Sequence, residues 1–298
     1  MGKASRTKQN ASRRDRIAAQ RATQRRREVR NRILIFTGIA VVVIAVVLGF
    51  VIAKLNSKAP TATASSNGPT GSALAAVVAK TTSVPTSVLE KVGAGSVTTP
   101  PSAISGTPLA AGGKPEMLYV GAEYCPYCAF ERWGMIVALS RFGSFSGLST
   151  VHSSSTDQFP NTPTWTFYKS SFTSKYLTFS TVEQTTNVPD SSSPLGYVPL
   201  QSPTAAQQSL LTKYNPGGSI PFVDIGNKYL INGASASPQV LQGLSWATIA
   251  ADLTNTSSPV AQAVNGTASY ITAAICKVTG DQPASACTPT ITALQSKM

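Results

Sequence analysis

Hydrophobic positions follow different rhythms along the chain, and each rhythm predicts a different element. The longest run is ILIFTGIAVVVIAVVLGFVIA, Ile33 to Ala53, with 21 uncharged residues in succession. A helix rising about 1.5 Å per residue needs about that length to cross a hydrocarbon core of about 30 Å, so the run predicts a transmembrane helix. A cleaved signal peptide is the competing reading. Its apolar region spans about 7–15 residues and ends at a small-residue cleavage site, whereas this run is longer and continues into KLNSKAP. Asn56 to Ser72, rich in Ser, Thr, Ala, Pro and Gly without apolar periodicity, predicts a flexible tether.

Beyond the tether the patterns shorten. ALAAVVAK and PTSVLEKVG carry brief helical signals, and GSVTTPPSAISGTPLAAGGKP is a turn-rich connector. EMLYVG, Glu116 to Gly121, predicts a buried strand, and Pro126 to Phe142 a helix directly after it. LSTVHSSS and TWTFY predict strands, KYLTFSTVE alternates clearly, and TAAQQSLLTKYN predicts a helix ended by Pro216–Gly218. SIPFVDIGNKYLING predicts a hairpin turning at Gly226–Asn227. GLSWATIAADL and a stretch from Pro259 into Ile275 predict two closing helices. The order is strand, helix, strand, inserted segment, helix, hairpin, helix, which is an α/β arrangement.

Charge changes the picture mainly at the start of the chain. Residues 1–32 hold 12 Lys/Arg against Asp15 and Glu28, a net +10 out of the +13 of the whole chain, so the remainder is close to neutral. Against Lys54 and Lys58 on the far side of the apolar run, that density places the N-terminus in the cytoplasm and everything after Lys54 outside. Position beside the membrane already explains the basic segment as a topology signal attracted to anionic lipid, so nucleic acid is not expected as a partner. The expected divisions are a basic cytoplasmic tail (1–32), a transmembrane helix (33–53), a linker (54–72) and an extracytoplasmic domain (73–298) in contact with the cell membrane's outer side.

All four cysteines, Cys125, Cys128, Cys276 and Cys287, then lie where disulfides persist. Cys125-Pro-Tyr-Cys128 sits where the strand hands over to the helix. The first sulfur of such a pair faces the unpaired N–H groups and positive end of the helix dipole, which stabilise a thiolate, and the second lies one turn inside, placed to resolve a mixed disulfide. Pro126 suits the first helical turn because its missing N–H costs nothing there. The pair alone also fits metal binding. A zinc site needs four ligands, while the outward part offers His152 and two widely spaced cysteines besides the pair. A Cu(I)- or Zn(II)-binding module using the same thiolates stays open as an alternative, as does a non-catalytic interaction module.

The Cys-Pro-Tyr-Cys junction, the Ile220–Pro221 hairpin and the element order resemble the thioredoxin-like superfamily. The Pro within the pair is nearer to glutaredoxins and extracytoplasmic disulfide oxidoreductases than to thioredoxin itself. AEYCPYCAFERWGMIVALSRFGSF, PNTPTWTFYKSSFTSKYLTF, IPFVDIGNKYLINGAS and ITAAICKVTGDQPASAC more closely resemble the membrane-anchored proteins grouped as domain-of-unknown-function family 929. The thioredoxin-like resemblance implies thiol–disulfide oxidoreductase activity with Cys125 and Cys128 as the catalytic pair. It implies that Pro221, in a cis peptide at the start of the hairpin, lies against the pair and aligns a substrate backbone. It gives no match for the acid that thioredoxins bury beneath the pair, for which Glu123 and Glu131 are the nearby candidates.

The expected fold is therefore a thioredoxin-like α/β domain with an insertion and a helical C-terminal extension, preceded by one transmembrane helix. No cofactor and no metal is called for. The expected partners are the lipid bilayer, protein thiols or disulfides, and a redox partner in the membrane. Cys276 and Cys287, flanking the turn-rich KVTGDQPASA, are expected to form a structural disulfide, with a second redox pair as the alternative. His152 is expected as an ordinary strand residue, Phe130 and Trp133 as core, and Tyr127 as exposed beside Cys125.

Overall fold

The computed structural model of the protein describes residues 68–298. The expected basic tail, transmembrane helix and linker up to residue 67 lie outside the described residues. Among the described residues no single helix is long and apolar enough to cross a membrane.

Two short helices come first, α1 (Gly71–Thr82) and α2 (Thr86–Val92). Gly71 and Ser72, expected as the end of the linker, stand in the first turn of α1. Gly71 and Ser72 have linker composition, and only the burial of Val77 and Thr81 further along shows that they open a packed helix. Two-residue strands β1 (Ser102–Ala103) and β2 (Ala110–Ala111) lead into β3 (Lys114–Gly121), which passes into α3 (Pro126–Leu139). The helix stops three residues earlier than its apolar pattern predicts, because the Phe142 amide folds back onto the Leu139 carbonyl in a tight turn.

The inserted segment follows: β4 (Gly143–Ser146), β5 (Ser149–His152), β6 (Pro163–Thr166) and β7 (Ser171–Ser174). β4 pairs with β7 and β5 with β6, so the segment is one antiparallel arm in two ladders. Gly147, at φ +71°, breaks it where a Cβ would press on the Lys169 carbonyl. Next come β8 (Thr178–Glu183), the hairpin β9 (Thr185–Pro189) and β10 (Tyr197–Pro199), and α4 (Ala205–Tyr214). A second hairpin, β11 (Phe222–Ile225) and β12 (Tyr229–Asn232), precedes α5 (Trp246–Asp252), the 20-residue α6 (Pro259–Val278) and α7 (Pro289–Thr292).

β3 is central in a mixed sheet. It runs parallel to β8, with Val120 opposite Val182, and antiparallel to β11, with Val120 opposite Phe222. β12 pairs outside β11, and β1 outside β12. Because strand side chains alternate between faces, the unbroken apolar run of β3 is divided between two cores. Met117 and Tyr119 join the larger one with Phe130, Trp133 and Ile271, while Leu118 and Val120 join Val182, Phe222 and Leu230 in a smaller one against Leu210 and Leu211. A strand buried on both faces needs no alternation, which is why EMLYVG reads as continuously apolar.

α3 crosses α6 closely: a Cβ on Gly134 would stand 2.6 Å from the Thr267 methyl. This contact fixes the helix that carries the cysteine pair against the longest helix of the extension. Cys276 and Cys287 form a disulfide, which ties the end of α6 to the segment before α7.

Candidate functional site

The site is built where β3 ends and α3 begins. Cys125 is the N-cap of α3 in an extended conformation, and Pro126 occupies the first helical position. In that geometry the Cys128 amide donates to Cys125 Sγ at 3.4 Å, so the sulfur takes the place of the oxygen that usually caps a helix. Both sulfurs are free thiols, with Cys125 5% exposed and Cys128 fully buried. The remaining exposure therefore belongs to Cys125.

From across the sheet, the loop before β11 brings Ile220–Pro221, which has a cis peptide bond. The Ile220 carbonyl lies 3.7 Å from Cys125 Sγ. Three sequence-predicted residues, Cys125, Cys128 and Pro221, thus belong to elements that converge on one point. Cys276 and Cys287 stand apart from it in their own disulfide.

Two segments without clear sequence periodicity close over the cysteine loop. The tip of the β4–β7 arm returns to it: the Ser154 amide donates to the Tyr124 carbonyl at 2.7 Å, the Tyr127 hydroxyl donates to Gln158 Oε1 at 2.7 Å, and Phe159 packs edge-on against Tyr127. Tyr127 is consequently half-buried, not open as expected. From the β9–β10 hairpin, Tyr197 stacks on Tyr124 with ring centroids 4.2 Å apart and donates its hydroxyl hydrogen to Ser154 Oγ.

Beneath the thiols lies an arrangement that sequence reasoning missed. Arg132, one helical turn after Cys128 and on the same face of α3, is fully buried and pairs with the fully buried Glu183 at the end of β8. Its Nε donates to Oε1 at 2.9 Å and its Nη2 to Oε2 at 2.7 Å, a bidentate pair. Nη2 also donates to the Ala122 carbonyl at 2.7 Å, just before the cysteine loop. The Tyr119 ring lies 5.6 Å from the guanidinium, and its hydroxyl donates to Glu183 Oε2 at 3.5 Å. A Cβ on Gly121 would touch both the Tyr119 hydroxyl and Cys128 Sγ, at 2.1 and 3.0 Å, so these groups face each other across that glycine. Glu183 also accepts from the Phe167 amide at 3.2 Å. The signal available in sequence was a charged residue set among Phe130, Trp133 and Met135. Its partner lies 51 residues away.

The electrostatics separate the two thiols. The hydrogen bond from the Cys128 thiol lowers the pKa of Cys125 most, burial works against it, and the Cys128 and Tyr127 amides with Arg132 lower it further, leaving it below the ordinary thiol value. Burial, reinforced by the neighbouring Cys125, pushes Cys128 well above it. Burial also opposes the charge of Arg132, but Glu183, Tyr119 and Cys128 outweigh it and keep the guanidinium protonated. Of the two candidate acids, Glu131 turns away and accepts from the Ser235 amide and hydroxyl, both at 2.9 Å. Burial raises Glu123, which lies in the loop before Cys125, above the usual carboxylate range. His152 packs its ring against Trp246 at 4.4 Å, and burial lowers its pKa.

Among the described residues no three His, Cys, Asp or Glu side chains gather. The soft donors that the site offers are the two thiols, a set that suits thiol exchange or two-coordinate Cu(I). Residues 100–277, more than half of the chain, match the family model described as Domain of unknown function (DUF929). No curated protein and no solved structure matches the chain.

Proposed function

The chain belongs to the DUF929 family, and on that premise we propose that it is a membrane-anchored, extracytoplasmic thiol–disulfide oxidoreductase with a thioredoxin-like fold. The observation that carries the reading is the contrast between its two thiols: Cys125 caps a helix with its sulfur and keeps the pair's exposure, while Cys128 is sealed beneath it. The thioredoxin-like reading is supported by the strand order β8, β3, β11, β12 and by the Ile220 carbonyl beside Cys125. Membrane anchoring rests on Ile33 to Ala53 and the +10 segment before it.

In the reducing direction the Cys125 thiolate attacks one sulfur of a substrate disulfide. A Cys125–substrate disulfide forms and the second substrate sulfur leaves as a thiolate, which takes the proton released by Cys128. Cys128 then attacks Cys125 Sγ, closing the Cys125–Cys128 disulfide and releasing the first substrate sulfur, which takes up a proton from water in exchange for the one Cys125 had lost. Two electrons pass from the pair to the substrate. The oxidising direction is the same sequence reversed. Pro221 holds the Ile220 carbonyl where an extended substrate chain pairs with it. Cycling the pair calls for a dithiol or disulfide partner, which the anchor places at the membrane.

Equilibrating the full chain with graded mixtures of reduced and oxidised glutathione tests this. Reversible loss of two hydrogens between Cys125 and Cys128, read by mass spectrometry of the trapped protein, is the expected result. A pair that stays reduced across the whole range, or that binds stoichiometric Cu(I) without any exchange, contradicts it.

A further inference from the structure

The buried ion pair under the cysteines has an orientation that matters for their chemistry. Its cationic end reaches toward the thiols: Arg132 Nη2 bonds the Ala122 carbonyl, three residues before Cys125. Its anionic end is held by Arg132 itself, by the Phe167 amide and by the Tyr119 hydroxyl. Neither end is reached by water, since Arg132 and Glu183 are both fully buried. In such surroundings a charge acts over several ångströms with little screening. The pair is the one salt bridge among the described residues, and isolated buried pairs commonly stabilise a fold less than apolar residues of equal size. Its placement therefore calls for a reason other than stability.

We propose that Arg132 is a positioning residue that sets the charge balance of the dithiol, its cation favouring the Cys125 thiolate, while Glu183 both aims the guanidinium and holds its effect in check. The proposal rests on the oxidoreductase reading and identifies what tunes that same site. Around the cysteine loop stand the ionisable Tyr127, Tyr197 and Asp157, and close to the thiols three more, Tyr119 on β3 with Glu123 and Tyr124 in the loop. Burial raises all three, which keeps the two tyrosines neutral, so Arg132 is the cation in this set. The lowered pKa of Cys125 includes a contribution from Arg132 in the same sense.

The test compares three full-length proteins by the pH dependence of Cys125 alkylation and by equilibration with glutathione. Arg132→Met with Glu183→Gln removes both charges at similar volume and leaves no buried ion unpaired, which protects the fold. It is expected to cut the thiolate fraction at neutral pH about tenfold. It should also shift the equilibrium with glutathione about tenfold toward the disulfide, equivalent to about 30 mV. Glu183→Gln alone leaves the cation unopposed and is expected to move both readouts the other way. Opposite signs from the two variants separate a charge effect from a packing effect, which would move both the same way. If Glu183→Gln does not fold, the double variant decides. Wild-type Cys125 titrating like a free thiol sinks the oxidoreductase reading itself. A low wild-type value that the double variant leaves in place overturns only the role given to Arg132.

Discussion

Cys125→Ser is expected to abolish the proposed thiol–disulfide exchange, lowering the rate by more than about a thousandfold, because a serine hydroxyl at neutral pH is no substitute for a thiolate nucleophile. Cys128→Ser has a different signature. The outer sulfur still attacks, since the Cys128 amide that donates to it is a backbone group and remains in place. With the resolving sulfur gone, the mixed disulfide at Cys125 accumulates. Mass spectrometry of each variant after exposure to a disulfide-bonded substrate peptide checks this: no adduct on Cys125→Ser, and a persistent single adduct on Cys128→Ser. Equal adduct formation at either position contradicts the division of roles that the buried and capping positions imply.

The second large effect is on stability, and it comes from Glu131 on the same helix. Burial is the main cause that lifts its pKa to about 7, against hydrogen bonds from Ser235 that lower it. The unfolded chain holds this carboxyl near its ordinary value, so between about pH 4.5 and 7 the folded state binds more protons than the unfolded one. Stability from this group is thus fully present below that window and is lost as pH rises through it. The loss is on the order of 3 kcal/mol. Asp224, raised to about 6 mainly by burial, contributes in the same direction. Glu131→Gln isolates the larger share: its amide keeps an acceptor for the Ser235 amide and offers a donor to the Ser235 hydroxyl. Urea midpoints should nearly coincide for variant and wild type at pH 4, and at pH 8 the variant should be more stable by about 3 kcal/mol. Equal midpoints at both values contradict the buried, protonated state of Glu131.

The parts of this structure legible in the sequence are those where one local rule acts alone. Met117 to Val120 hold no turn former and no charge, so a strand buried on both faces is nearly forced. Cys125-Pro-Tyr-Cys128 announces its own position because Pro126 fits the first helical turn and little else in a helix. Gly226–Asn227 announces the hairpin, since both residues adopt positive φ there. The features that escaped depend on contacts between distant segments. Nothing near Arg132 or near Glu183 says that the two meet, because a charged residue in an apolar helix and a glutamate at a strand end each have a solvated explanation. The arm tip that covers Tyr127 is built from Ser, Thr, Asp, Gln, Asn and Pro around a single aromatic, Phe159. Its place is set by hydrogen bonds to the cysteine loop and not by any hydrophobic rhythm. Glu131, a candidate in sequence for the acid under the thiols, points to Ser235 because helical geometry puts it on a different side of α3 from Arg132.

The most direct test of the central claim is the pH dependence of Cys125 alkylation in the intact chain, with Cys125→Ser as the control and the Cys276–Cys287 disulfide left in place. A midpoint well below the free-thiol value of about 8.5 is the result that a helix-capping sulfur, favoured as proposed by Arg132, requires. A midpoint at or above that value would mean that the helix terminus and the buried cation do not stabilise the thiolate, and the dithiol would lose its standing as a nucleophilic redox centre.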